Sequence, residues 1–299
     1  MDHLPYDHKS RMIRVDLAIE GLSIGDALGE QFVRPSRRLL VKYRQTPVGP
    51  WPYTDDTEMA LAIVETLDCH GHIEQDFLAA RFAERFCRRP NRGYGAGAGK
   101  LLSSMSCGEP WQSASRSLFD GEGSMGNGGA MRAAPIGAYF ADDLSATIEH
   151  ARRSAEVTHA HPEGIAGAIA VAVAAGWACR TRELSSITKG LLETVLDTLP
   201  AGDVRIGVER ARNLRQETRL ERVVGILGNG SRVVARDTVP FCLWCAERNI
   251  GSYVDALWTA FSAHGDIDTN GAIVGGIVAL ATGQDQIPVD WRKSREPLS

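Results

Sequence analysis

Gly265-Asp266-Ile267-Asp268-Thr269-Asn270-Gly271 gathers two carboxylates, a hydroxyl and an amide into five residues. The cluster follows a helix-patterned segment, 253–263, and leads into an Ala/Gly/Ile/Val run, 272–282, that also reads as helical. Oxygen donors of this kind suit hard cations such as Mg²⁺, Mn²⁺ or Ca²⁺. Asp, Thr and Asn are equally ordinary helix N-caps, so the stretch alone decides nothing. Far upstream, Thr54-Asp55-Asp56-Thr57 repeats the arrangement, with adjacent acids at the mouth of an apolar helical run. Two acid clusters at helix N-termini, distant in the chain, are what folding needs to assemble a two-metal site.

The rest of the chain is patterned for helices. Residues 11–28 place apolar side chains at 12, 13, 17, 19, 22 and 24, a buried-helix spacing with a break expected at Gly21 or Gly25. Residues 34–51, with Pro35, Pro47, Pro50 and Pro52 in or beside them, read as an irregular surface excursion. Segment 58–69 is helical, and 75–88 puts Leu78, Phe82 and Phe86 on one helix face. Helices are also expected over 144–155, 164–179, 183–199, 237–248 and 253–263, with 206–234 mixed and the last fifteen residues polar and peripheral. Alternating strand patterns are absent. The predicted fold is a single all-α domain over residues 1–299, a compact bundle of roughly ten or more helices with its core at about 12–291.

Composition narrows the function. With 33 basic and 37 acidic side chains the net charge is −4, which predicts no general attraction to nucleic acid or to an anionic membrane. The polar N-terminus shows no signal-peptide core, and the longest apolar run, 164–179, is shorter than a bilayer requires. Of six cysteines only Cys242 and Cys245 are close together, inside an expected helix, so they read as structural thiols in a reduced, cytoplasmic setting.

Converging carboxylates repel one another and raise each other's pKa unless a cation neutralises them. Two cations about 4 Å apart commonly share a bridging carboxylate and hold a water or hydroxyl between them. Asp266 and Asp268, one residue apart, could aim at different sides of such a pair from an extended or turn backbone. Two glycine-dense loops accompany the acids: residues 92–99, and Gly123-Ser124-Met125-Gly126-Asn127-Gly128-Gly129. Neither is a Walker A loop, because the closing Lys-Ser/Thr is missing, and no strand precedes the first as a Rossmann turn needs. Glycine loops let backbone N–H groups approach an anion, so beside a metal site they suit a diphosphate; tight turns are the plainer alternative. Thr158-His159-Ala160-His161 adds two imidazoles; a buried, hydrogen-bonded histidine is the plain reading, and a ligand-contacting histidine is favoured over an HxH metal pair.

In order along the chain, Gly25-Asp26-Ala27-Leu28-Gly29, Thr54-Asp55-Asp56-Thr57, Gly93-Tyr94-Gly95, Gly126-Asn127-Gly128-Gly129-Ala130-Met131-Arg132, Thr158-His159, Thr238-Val239-Pro240, Gly265-Asp266-Ile267-Asp268-Thr269 and Ile287-Pro288 resemble the ADP-ribosylglycohydrolase family. The resemblance implies an all-α hydrolase with two Mg²⁺ (or Mn²⁺) ions at the base of an ADP-ribose cleft. Carried over by motif, the metal ligands are Thr54, Asp55, Asp56, Asp266, Asp268 and Thr269, with Asp268 as the bridge. Asp55, Asp56 and Asp268 take the catalytic roles. Gly93, Tyr94, Gly95, Gly123, Ser124, Met125, Gly126, Asn127 and His159 contact the substrate. The implied partner is ADP-ribose or an ADP-ribosylated acceptor, cut at C1″. An inactive ADP-ribose-binding or crystallin-like relative, or a hydrolase of another ribosyl or nucleotide substrate, is the alternative.

Three departures bear on the linkage. His264-Gly265 stands where the family often has Gly-Gly. The position of a metal-gating Glu in the serine-linkage branch is Val33, with Glu30 three residues before it. Residues 91–99 hold no carboxylate, where the nitrogenase-regulating branch has an Asp. These favour an arginine-type N-glycosidic substrate, with O-linked ADP-ribose second.

Overall fold

The computed structural model describes residues 4–183, 188–215 and 217–299. They form sixteen α-helices and no strand. In chain order these are α1 (His8–Val33), α2 (Arg38–Lys42), α3 (Asp55–His70), α4 (Gln75–Arg88), α5 (Ala96–Ser106), α6 (Trp111–Ser117), α7 (Ala134–Tyr139) and α8 (Leu144–Glu156). The second half holds α9 (Pro162–Glu183), α10 (Leu191–Leu196), α11 (Asp203–Asn213), α12 (Leu220–Leu227), α13 (Ala235–Arg248), α14 (Tyr253–Ser262), α15 (Ile267–Thr282) and α16 (Val289–Ser294). The all-α expectation holds.

The antiparallel pair α1 and α15 is the axis of the molecule. Gly21, Gly25 and Gly29 form one face of α1, and a Cβ at Gly25 would collide with the Gly271 carbonyl, as one at Gly271 would with the Gly25 carbonyl. At Gly29 a Cβ would lie 2.7 Å from the Asp268 Cα. Backbones this close exclude side chains, so the glycines that predict a break instead weld an unbroken 26-residue helix to its partner. The contact also lays Asp26 and Glu30 beside the start of α15.

Helix α15 begins at Ile267, five residues before the expected start, so Asp266 is its cap residue and Asp268 lies in its first turn. The extended- or turn-backbone expectation for Asp268 is therefore corrected: the residue is helical. Helix α9 is a core helix with 14 buried residues. By length and composition it could cross a bilayer, against the shorter span expected, but most of it lies packed inside the protein. Residues 183–199 are not one helix: α9 ends at Glu183, α10 covers Leu191–Leu196, and 184–187 lie outside the described residues. The first glycine loop is shorter than expected, since Gly97 and Gly99 already belong to α5.

The C-terminal segment is not peripheral. Ile287 and Trp291 are buried, and Trp291 packs against Tyr253 and Trp258. Beyond α16 the chain runs beside residues 51–53: Trp51 N–H donates to the Ser294 carbonyl (2.6 Å) and Glu296 N–H to the Trp51 carbonyl (3.0 Å). Residues 51–53 are not a surface excursion at this point, since Trp51 and Tyr53 are buried.

Candidate active site

Asp26 lies at the centre of the first acid cluster. It is fully buried, and its carboxylate accepts from Thr54 N–H (3.0 Å), Thr54 Oγ1 (2.8 Å), Thr57 N–H (3.2 Å) and Thr57 Oγ1 (2.5 Å). The N-terminus of α3 is thereby fixed onto α1. Thr54 caps α3, its hydroxyl accepting from Asp56 N–H at 3.4 Å and lying 3.0 Å from Asp56 Oδ2. Asp56 is 1% exposed, and its Oδ1 has no hydrogen-bond partner among the described residues. Asp55 N–H donates to the Arg92 carbonyl at 2.7 Å, which seats the first glycine loop above it. A Cβ at Gly93 would lie 3.5 Å from Asp55 Oδ1.

The second cluster is held more lightly. Asp266 N–H donates to the Asn229 carbonyl (3.3 Å), and Asn127 Nδ2 donates to Asp266 Oδ2 (2.6 Å) while also reaching Thr238 Oγ1 (3.0 Å). Thr269 is buried and Asp268 is part-exposed. Behind them Asn270 Nδ2 donates to the Asn229 carbonyl at 2.8 Å, and Cys242 Sγ lies 3.2 Å from Asn270 Oδ1. Cys242 and Cys245 are buried and all six cysteines are free, in keeping with structural thiols.

The two clusters face one another electrostatically. Burial, and then the Asp268 carboxylate, push Asp55 up to about 8. Burial is also the main cause for Asp26 and Asp266, each raised to about 7 with Asp268 contributing, and Asp56 is raised by burial and by Asp26. No ion pair reaches Asp26, Asp55, Asp56, Asp266 or Asp268 among the described residues; the nearby Arg132 guanidinium is held by Gly128 O, Ser154 O and Thr158 Oγ1. Five acids without a cation, one of them with an orphaned buried oxygen, form a donor set that suits a hard divalent ion. The side chains are not already gathered: among the described residues no three His, Cys, Asp or Glu side chains are placed to hold an ion.

The second glycine loop borders the acids. Met125 O accepts from Ala235 N–H (2.9 Å) and Asn127 N–H donates to Val233 O (3.3 Å), while Gly126 N–H is taken by Ser124 Oγ (3.1 Å). The N–H groups of Ser124 and Met125 are left without an acceptor among the described residues. His159 lies beneath the loop: a Cβ at Gly126 would come 3.1 Å from its Nε2, and one at Gly128 would come 2.8 Å from its Cε1. The Thr158 hydroxyl accepts from Arg132 (2.8 Å) and lies 2.7 Å from His159 Nδ1, which ties the imidazole to the arginine through one oxygen. Burial and the Arg132 charge lower the imidazole to about 3, so it stays neutral.

Several residues expected to contact the substrate have partners within the protein. Asn127 directs its amide to Asp266, His159 supports the loop from below, and Tyr94 packs its ring edgewise on Phe86 at 5.1 Å with its hydroxyl buried and unpartnered. Gly95 borders open space. Val33 is exposed at the end of α1, whereas Glu30 is half-buried and raised by burial and by Asp268. His264 has a left-handed backbone (φ 55°) and a buried Nδ1 without a partner.

Three features escaped the sequence reading. Asp26 stood in a motif, but nothing local marks it as the acceptor of four hydrogen bonds. Phe119 is 62% exposed with φ 55°, close to Gly97, so an aromatic ring and backbone strain mark the rim between the two glycine loops. Glu296 accepts from Tyr53 N–H (2.8 Å) and from Arg92, whose guanidinium also donates to Tyr53 O (2.8 Å). Since the Arg92 carbonyl holds Asp55, the C-terminal segment supports the acid cluster through one residue.

Comparison with known proteins places this geometry. The profile of the ADP-ribosylglycohydrolase family matches residues 7–297. ADP-ribosylhydrolase ARH3 of Homo sapiens is 34% identical over 277 residues, covering 82% of this chain and 74% of its own. The ARH3 of Mus musculus is 32% identical with 82% and 73% coverage, and an uncharacterised protein of Archaeoglobus fulgidus is 30% identical with 87% and 84%. A solved structure titled as an ADP-ribosylglycohydrolase-related protein complex superposes with a TM-score of 0.65 at 24% identity, over 96% of this chain and 94% of its own, a likeness of fold.

Proposed function

The chain belongs to the ADP-ribosylglycohydrolase family of hydrolases, and from that premise we propose that it is a divalent-cation-dependent enzyme that cuts the C1″ glycosidic bond of an ADP-ribosylated acceptor and releases ADP-ribose. The carrying observation is the acid set, in which Asp26, Asp55, Asp56 and Asp266 are raised chiefly by burial and by neighbouring carboxylates, with no ion pair to any of them among the described residues. Thr54, Asp55, Asp56, Asp266, Asp268 and Thr269 would hold Mg²⁺ or Mn²⁺, with Asp268 between the two clusters. Bound there, the cations would supply Lewis-acid polarisation of water and of ribose hydroxyls.

The protein's own groups do the rest. Asp26 fixes Thr54 and the start of α3, so that Asp55 and Asp56 are positioned before substrate arrives. Cleavage breaks the bond from C1″ to the leaving atom, whose pair departs with the acceptor. A water oxygen bonds to C1″ and loses a proton to Asp55, which is part-exposed where Asp56 is buried. The open N–H groups of Ser124 and Met125 suit the diphosphate, and the exposed Phe119 ring suits a base.

The carboxylate-free first loop supports an N-linked, arginine-type acceptor. A second reading, O-linked ADP-ribose, is supported by Glu30, a half-buried acid whose charge senses Asp268 and which could protonate an alkoxide leaving group. Arginine- and serine-linked ADP-ribosyl peptides, each assayed with Mg²⁺ and with EDTA, test both readings. Release from the arginine peptide supports the first, release from the serine peptide alone the second, and release from neither overturns the activity.

A further inference from the structure

Residues 228–235 form a partition with two chemically different sides. On the catalytic side, Asn229 O receives Asp266 N–H, Val233 O receives Asn127 N–H, and Ala235 N–H donates to Met125 O. On the other side lies a cleft of about 630 Å³ between α11, α12 and the start of α13. Ile206, Val224 and Ile226 line it together with Arg210, Arg232 and Arg236. Arg236 pairs with Asp203 at 2.5 Å. The Asp237 carboxylate is 8% exposed and takes the Arg232 backbone N–H at 2.9 Å. The guanidinium groups of Arg210 and Arg232 have no hydrogen-bond or ion-pair partner among the described residues. Residues 203–237 hold eight arginines, no lysine and five acids, in a chain whose net charge is −4.

Building on the proposed hydrolase activity, we infer that this cleft docks the acceptor chain and takes an acidic peptide segment next to the ADP-ribosylated residue. An arginine fork binds a carboxylate through two parallel hydrogen bonds, and two such forks, without a partner among the described residues, stand one loop away from the acids. The interleaved Ile206, Val224 and Ile226 offer apolar contact to a peptide. The lining holds no aromatic ring on which nucleobases could stack, which argues against a nucleic-acid strand.

The test uses the full chain and an Arg210→Glu/Arg232→Glu variant whose helical circular dichroism matches the parent. Fluorescence anisotropy with an unmodified Asp/Glu-rich peptide reads docking without any hydrolysis. The parent should bind it, more weakly as salt rises, and the variant should bind at least about tenfold more weakly, a difference of about 1.4 kcal/mol. Among ADP-ribosyl peptides, kcat/KM should be higher for acidic than for Gly/Ser flanks, and the variant should lose that preference through KM while keeping its turnover on an ADP-ribosylated small acceptor. Equal binding by parent and variant, or tighter binding of an oligonucleotide than of the acidic peptide, overturns the inference. If no ADP-ribosyl compound is cleaved, the proposed activity fails, and the anisotropy measurement still decides the cleft.

Discussion

The two acid clusters use the same residue types in opposite ways. Around Thr54 the carboxylates are locked: Asp26 takes two backbone N–H groups and two hydroxyls, and Asp56 is sealed from solvent. Around Asp268 they are part-exposed: the Asp266 carboxylate takes the Asn127 amide, and the Asp266 backbone N–H donates to the Asn229 carbonyl beside a turn at Gly265 (φ +73°). One cluster is buried and densely hydrogen-bonded, and the other is part-exposed with fewer side-chain partners. On the proposed function, the buried side would set the geometry and the part-exposed side would meet the ligand.

Breaking the buried cluster should have the largest effect. Asp26→Ala leaves buried N–H and O–H donors of Thr54 and Thr57 without an acceptor, each costing about 1–3 kcal/mol. Denaturant unfolding should show a loss of several kcal/mol, accompanied by loss of activity. A midpoint within error of the parent would contradict the central place given to Asp26. Asp268→Ala removes the proposed bridge from the open side, so it should leave the circular dichroism and melting of the metal-free protein near the parent's. ADP-ribose release should fall at least about a hundredfold, with Mg²⁺ affinity reduced in calorimetry.

Acidity offers a check on both sides at once. Asp26 and Asp266 are raised to about 7 and Asp55 to about 8, above the ordinary 3.8. Carboxyls with raised folded-state values bind protons more tightly in the native protein than in the unfolded chain. Their stabilisation is complete below the unfolded value and disappears as pH rises through the folded one. In EDTA the melting temperature should therefore fall between pH 5 and pH 8, and Mg²⁺ should restore more of it at pH 8 than at pH 5. A Mg²⁺ increment that shrinks with rising pH would count against a cation held by these acids.

The smallest effects belong to the supports. Asn127→Ala removes the amide that orients Asp266, and loss of such an outer partner typically costs about 10–100-fold in metal affinity. Glu296→Gln keeps an acceptor for Tyr53 N–H but loses the charge facing Arg92, so a few-fold drop in Mg²⁺ affinity is expected, well short of Asn127→Ala. If Glu296→Gln proved the more damaging, the locked cluster would depend on the C-terminal segment more than on its own hydrogen bonds.

What the sequence revealed and what it hid follow from the range of the interactions. Helical periodicity and acid clusters are local signals, so the all-α class and the pairing of Thr54-Asp55-Asp56 with Asp266 and Asp268 were readable. Gly21 and Gly25 misled, because glycine as helix breaker and glycine as close-packing surface look the same until the partner helix is known. Asp268 was expected on a turn because its Gly-rich neighbours mask the start of α15. The roles of Asn127 and His159 depend on contacts across 139 residues and on an arginine 26 residues from Thr158, distances that no motif encodes. Glu296 was hidden for the same reason: a polar tail reads as solvent-exposed until residues 51–53 are found beside it.

The central claim, that the two clusters act together as a cation-dependent ADP-ribosyl glycosidase, is tested most directly by quantifying free ADP-ribose released from linked peptides. The parent, Asp55→Ala and Asp268→Ala proteins would be compared in Mg²⁺ and in EDTA. Release by the parent is expected in Mg²⁺ only, with little by either variant in any condition. Equal release by the parent in Mg²⁺ and EDTA, or parent-like release by both variants, would contradict it.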